Sequence, residues 1–214
     1  QKNTEISIFK LIKSELPTNI KKTLFSLYQS IAFSEEGKEQ LYKIWKEENK
    51  IKNLFLNEDD YTSLAMKLAI YQHPKAEEIL EEQQTKISNS DRLERFKWLL
   101  PSLSNDEVVR DTFMASLLEK ENREKESWVQ TALGNLHHPL RQNSSTKHLK
   151  TILDKLEEVQ LTGDIFFPKG WLASSIGNYS SKEAFNILSE FLDENPNYNP
   201  ILKKKLLQTT NNLA

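Results

Sequence analysis

The sequence predicts an all-α fold, an α–α superhelix of antiparallel helix pairs in the HEAT or armadillo style, and three observations carry that expectation. Only five glycines occur in 214 residues, Gly37, Gly134, Gly163, Gly170 and Gly177, whereas strand-rich folds need many turns and turns favour glycine. Apolar residues recur three and four apart along most of the chain, and period-two alternation never persists for the length of a strand. The seven prolines fall at intervals between these segments, where a residue without an N–H does least harm to a helix.

The elements follow in order. Ile20, Leu24, Leu27, Tyr28 and Ile31 form an apolar row after Pro17, a residue suited to a first turn. Leu41, Ile44 and Trp45 form a second row, entered at Ser34. Tyr61, Leu64, Ala65 and Leu68 form a third, entered near Asn57 and ended before Pro74. Ile79 and Leu80 sit on a short charged helix, and Leu93, Phe96 and Leu100 follow Ser90 and stop at Pro101.

The second half has stronger start signals. Ser104 with Glu107, and later Ser180 with Glu183, have the spacing of capping boxes, in which each side chain satisfies the other's backbone N–H. The first leads into Val109, Phe113 and Leu117, the second into Ala184, Phe185, Leu188 and Phe191. Between them come Trp128, Ala132, Leu133 and Leu136, closing before Pro139, then Leu149, Ile152, Leu153, Leu156 and Val159, the most regular amphipathic row of the chain. Asn199 and Pro200 start a terminal helix carrying Leu202, Leu206 and Leu213.

This makes about twelve helices, mostly of roughly 10 to 16 residues. Short connections make chain neighbours antiparallel, and a long series of such pairs favours a solenoid over a closed bundle. The tryptophans, Trp45, Trp98, Trp128 and Trp171, are irregularly spaced, and no tetratricopeptide or ankyrin consensus is present. No linker or low-complexity tract interrupts residues 1–214, which read as one helical-repeat domain.

Composition narrows the function classes. A chain of this length buries roughly 70% of its unfolded surface and needs no staple. Cysteine is absent, which excludes disulfides, thiolate metal sites and cysteine nucleophiles but does not choose between cytoplasm and periplasm. The 29 basic and 31 acidic side chains leave a net charge of -2, too near neutral for a phosphate-binding field, so nucleic acid is not an expected partner. Lys21-Lys22 and Lys203-Lys204-Lys205 read as solvated helix faces. The longest apolar run, Leu64 to Tyr71, is interrupted by Lys67 and falls far short of the roughly 20 residues of a membrane span. A soluble protein is expected. The chain opens at Gln1 with neither an initiator methionine nor a signal-peptide core, which points to a segment of a longer polypeptide.

No catalytic motif emerges. None of His73, His137, His138 and His148 is followed by glutamate, and no pair is four apart, as the zincin motif H-E-x-x-H requires. His137 and His138 would point about 100° apart on a helix. Their place before Pro139 suits a helix C-terminus, where a protonated imidazole complements the dipole. There is no G-x-S-x-G elbow and no glycine-rich phosphate loop.

The least ordinary stretch runs from Trp128 to Trp171. His137-His138-Pro139-Leu140-Arg141 ends a helix with a rigid turn and sets an arginine beside it. Thr162 to Trp171 gathers Phe166, Phe167, Trp171, two glycines and Pro168 into ten residues. This is either a loop tucked onto the core or a partner-facing surface, since aromatic and arginine side chains dominate interface hot spots. Arg141, His138, Phe166 and Trp171 are the candidate contacts for a substrate or interface. For Arg141 a salt bridge to a neighbouring helix pair is the structural alternative to a substrate carboxylate.

These residues also carry a resemblance. Arg92-Leu-Glu-Arg-Phe-Lys-Trp-Leu-Leu-Pro-Ser-Leu-Ser104 and Glu107-Val-Val-Arg-Asp-Thr-Phe113 resemble the C-terminal region of bacterial aminopeptidase N-type enzymes. So do Asn122-Arg-Glu-Lys-Glu-Ser-Trp-Val129, Leu136-His-His-Pro-Leu-Arg141 and Gly163-Asp-Ile-Phe-Phe-Pro168. The resemblance covers residues 90 to 200 well and the first third only in style. These are thermolysin-like (gluzincin) zinc metallopeptidases whose H-E-x-x-H, further glutamate ligand and Gly-x-Met-Glu-Asn strip lie in an upstream domain. This chain has neither motif, so no catalytic or metal-binding residue carries over, and zinc belongs to the implied parent enzyme.

The resemblance implies a helical superhelix over the catalytic cleft, excluding proteins and admitting peptides, with the upstream catalytic domain and peptide substrates as its partners. The alternative is a freestanding solenoid scaffold that binds another protein.

Overall fold

The computed structural model describes residues 2–210, and every regular element among them is helical. Contacts gather the chain into two compact units, residues 1–97 and 98–214. No helix among the described residues is long and apolar enough to cross a membrane.

The first unit holds α1 (Lys2–Lys13), α2 (Thr18–Ile31), α3 (Glu35–Trp45), α4 (Glu58–Ile70) and α5 (Ala76–Lys86). They pack as chain neighbours: α1 on α2, α3 on α4, and α4 on α5. Two starts are fixed by side chains. Ser34 accepts from the Gly37 N–H at 3.0 Å. Asn57 and Asp60 exchange side-chain bonds of 2.9 Å with each other's backbone N–H, satisfying two donors that the first turn leaves orphaned. Leu41, Ile44, Trp45, Leu64, Ala65, Leu68 and Ile79 are buried as expected. The Trp45 indole N–H, which needs an acceptor when buried, donates to Gln83 Oε1 at 2.8 Å.

The buried row of α2 differs from the expected one. Ile20 and Leu27 face solvent, and Lys21, Phe25 and Tyr28 face the core. Lys21 is therefore not part of a solvated basic face. Its stem fills apolar space while its ammonium donates to the Lys52 carbonyl at 2.6 Å, which is how a buried lysine keeps its charge partnered. Lys22 is exposed, as expected.

α6 (Ser90–Leu103) leads into the second unit, which holds α7 (Glu107–Ser116), α8 (Glu126–Leu136), α9 (Gln142–Ser145), α10 (Leu149–Asp154), α11 (Leu156–Thr162), α12 (Phe167–Ser174), α13 (Lys182–Glu194) and α14 (Pro200–Thr209). α12 is the hub, packing on α8, α11 and α14, while α10 packs on α13 and α7 on α8. Asn199 caps α14 by accepting from the Ile201 N–H at 3.0 Å, with Pro200 in the first turn. Leu202 and Leu206 are buried; Leu213 lies outside the described residues.

Several local expectations shift. α6 runs through Pro101 to Leu103 rather than stopping there. The cap of α7 is Asp106, which accepts from the Val108 N–H at 2.8 Å, and not Ser104; that of α13 is Ser181, not Ser180. Moving the start of α7 turns its inner face, so Arg110, Met114 and Leu117 are buried and Val109 is exposed. Phe185 likewise faces outward. Leu149, Ile152, Leu153, Leu156 and Val159 are all fully buried, but the helix that carries them breaks at Lys155 into α10 and α11.

Candidate functional site

The stretch singled out in the sequence lies within the second unit. α8 ends at Leu136, and Pro139–Arg141 forms a 3-10 turn whose proline removes an N–H that the turn leaves free in any case. His138 Nδ1 accepts from the Leu140 N–H at 3.3 Å, so this half-buried imidazole caps the turn.

Arg141 does not reach a rim. It is 3% exposed and its guanidinium turns inward. Nη1 donates to the carbonyls of Ser102 at 2.6 Å and Asn135 at 3.3 Å, and Nη2 to those of Leu103 at 3.0 Å and Ser104 at 3.3 Å. The end of α6 has carbonyls with no intrahelical donor and a partial negative charge, and Arg141 answers both. The partner is main chain, neither a substrate carboxylate nor the acidic side chain of a salt bridge. Burial, then the neighbouring charge of Arg110, pushes its pKa down to about 10, which leaves it charged at neutral pH.

The arrangement recurs. Arg110 Nη1 donates to the Ser104 and Asn105 carbonyls at 2.8 and 2.9 Å. Arg123 Nη1 donates to those of Leu117 and Leu118 at 3.1 and 2.6 Å, and its Nη2 pairs with Glu158 at 2.5 Å. Sequence reasoning missed Arg110, which lies in the first turn of α7, and Arg123; for both the available signal was an arginine within seven residues of the end of the preceding helix.

His137 is the C-cap of α8 and fully buried. Its Nδ1 lies 2.8 Å from the Tyr179 hydroxyl. Burial, then the charge on His148, pushes its pKa from 6.5 down to about 3. The ring is neutral at physiological pH, which replaces the expected protonated helix-end imidazole: loss of solvation outweighs a dipole effect worth at most about 2 kcal/mol.

The aromatic cluster divides. Phe167 and Trp171, four apart on α12, point inward and meet edge to face at 6.1 Å. Trp171 is completely buried, with its indole N–H on the Ile152 carbonyl at 3.2 Å. It is a core residue, not a contact for partner or substrate. Phe166 points the other way and is 76% exposed, beside Ile165 at 75% and Leu161 at 85%. The turn that presents them is fixed: the Asp164 N–H donates to Glu126 at 2.6 Å and the Phe166 N–H to Asp164 Oδ1 at 2.8 Å. An adjoining cleft of about 410 Å³ is lined by Lys120, Arg123, Glu126, Gly163 and Phe167 among others.

His148 Nε2 lies 2.8 Å from Asp111, but Lys147 binds the same carboxylate at 2.6 Å, so the pair belongs to a surface ion network. Among the described residues no group of three or more His, Cys, Asp or Glu side chains could hold a metal ion. Of the four candidate contacts, Phe166 is open to a partner, His138 is partly so, and Arg141 and Trp171 are interior.

Compared with known protein families, with curated proteins and with solved structures, the chain matches none.

Proposed function

We propose that this chain is the non-catalytic C-terminal helical domain of a zinc-dependent aminopeptidase of the aminopeptidase N type, covering the catalytic cleft and limiting access to peptides. The observation that supports the reading is the spatial convergence of the five runs on which the resemblance rests. Trp98 of the first run meets Phe113 of the second at 5.2 Å and Trp128 of the third at 5.8 Å. Arg141 of the fourth closes on Ser102, Leu103 and Ser104 of the first. Glu126 of the third holds the Asp164 N–H of the fifth at 2.6 Å. The parts of these runs within residues 98–168 thus pack on one another inside the second unit, as the parts of a shared domain would.

On this reading zinc and the general base reside upstream, and the chain supplies shape. The projecting Phe166 and Ile165 are its contact with the catalytic domain, because a rigid exposed aromatic turn loses little freedom on docking. The same exposed residues favour the second reading, a freestanding solenoid scaffold for another protein.

The test is the coding sequence preceding Gln1, together with an assay of the full polypeptide on aminoacyl reporter substrates. The expected result is an H-E-x-x-H motif upstream and hydrolysis that a zinc chelator abolishes. A start codon near Gln1, with no hydrolysis, overturns the reading in favour of the scaffold. So does one tightly bound zinc per 214-residue chain in elemental analysis, which contradicts a non-catalytic role.

A further inference from the structure

α1 carries a partly apolar row that its own unit leaves open. Its inner edge is anchored by Ile12 and by Glu5, both buried; the Glu5 carboxylate accepts from the Ser34 hydroxyl and from the Ser34 N–H at the start of α3. Beside that edge lie Lys2, Ile6, Phe9 and Lys13, spaced four, three and four apart. That is the spacing of a helix row facing a second helix. A groove of about 450 Å³ with an almost wholly apolar lining runs along it, walled by Ile6, Phe9, Tyr28, Gly37 and Gln40. Phe9 stacks on Tyr28 at 5.0 Å. Ile6 is 45% exposed.

The charge around the opening has one sign in excess. Lys2, Lys10 and Lys13 stand on the rim against Glu5 and Glu36, which lie at the Lys2 end, so the excess is at the Lys10 and Lys13 end. Glu36 pairs with Lys2 at 2.7 Å, both side chains well exposed, a weak contact that a partner can replace. Lys13 sits 4.6 Å above the Phe9 ring, and Lys10 carries no ion pair among the described residues.

We propose that this groove receives an amphipathic helix of a partner protein, with large aliphatic side chains along one face and carboxylates at the end that meets Lys10 and Lys13. Lys2 and Lys13 are about 16 Å apart along the axis, so the complementary helix has about three turns and sets its acids against Lys10 and Lys13. Aliphatic side chains beyond those acids fill the space over Ile6 and Phe9, the helix-in-groove mode of recognition. A second copy of α1 is a poor occupant, because it sets lysine against lysine. The proposal concerns the first unit alone and stands or falls separately from the peptidase reading.

The test uses the 214-residue chain and two labelled, lactam-stapled helical peptides. One has leucines at the central positions and glutamates at the end that meets Lys10 and Lys13; its twin has lysines in place of the glutamates. The glutamate peptide is expected to bind with micromolar affinity, and the lysine twin at least about tenfold more weakly. Ile6→Glu, at a position exposed enough to leave the helical circular dichroism unchanged, abolishes binding. The double variant Lys10→Glu, Lys13→Glu inverts the preference. Equal affinity for the two peptides, binding of neither, or binding that survives Ile6→Glu overturns the proposal. So does self-association of the chain that Ile6→Glu removes, which would assign the groove to a second copy, or displacement of the peptide by free oleate below its micellar concentration, which would assign it to a lipid.

Discussion

Replacing Arg141 with alanine removes the donor of four hydrogen bonds to main-chain carbonyls, those of Ser102, Leu103, Ser104 and Asn135. Ser104 keeps the Arg110 guanidinium at 2.8 Å, so the uncompensated loss falls on the other three. A buried acceptor left without a donor costs about 1–3 kcal/mol, and the methylene stem of a side chain 3% exposed leaves a void as well. The expected loss is at least about 3 kcal/mol, a large fraction of a domain's stability. Arg141→Lys keeps the charge, but one ammonium cannot span carbonyls reached through two separate nitrogens, and it recovers less than half.

Urea denaturation measures this directly. Trp98, Trp128 and Trp171 all lie in residues 98–214, so tryptophan fluorescence reports chiefly on the unit that Arg141 holds. A loss below about 1 kcal/mol for Arg141→Ala, or full recovery by lysine, refutes the clamp.

Two further outcomes follow from the same unit. His137 has its pKa pushed down to about 3, below the value near 6.5 of an unfolded chain, so the unfolded state binds the proton first; its stabilising contribution is intact above pH 6.5 and is lost as pH falls towards 3. Between pH 6.5 and 5 the loss is about 2 kcal/mol; denaturation midpoints measure it, and His137 ring resonances that titrate near pH 6 rule it out. Phe166→Ala should change stability by less than about 0.5 kcal/mol and Trp171→Ala should cost about 3–5 kcal/mol; similar effects from the two would mean that the aromatic cluster is not divided as described.

Some helix starts were legible from the sequence, although the two capping-box spacings gave way to Asp106 and Ser181. Ser34, Asn57 and Asn199 start helices where their side chains predict, because a cap acts within three residues. Faces were harder where a cation is buried. Lys21 and Arg110 count as polar in any periodicity, yet their stems pack inward while their charged ends find carbonyls, and the apparent apolar row rotates away from the real one. Arg141 was visible as an unusual residue, but three of its acceptors lie 37 to 39 residues earlier, beyond any local rule. The opposite fates of Phe166 and Trp171 follow from the start of α12 at Phe167, which puts Phe167 and Trp171 on one face. The boundary decides the face, and boundaries are the least certain part of a sequence reading.

The three arginine clamps also set the length of the chain between them. Arg110, Arg123 and Arg141 each bind a carbonyl six residues earlier, those of Ser104, Leu117 and Asn135. Adding or removing one residue in such a segment displaces the guanidinium by up to about 3.8 Å, more than the few tenths of an ångström that a hydrogen bond tolerates. Connections that look like ordinary surface loops therefore act as fixed rulers.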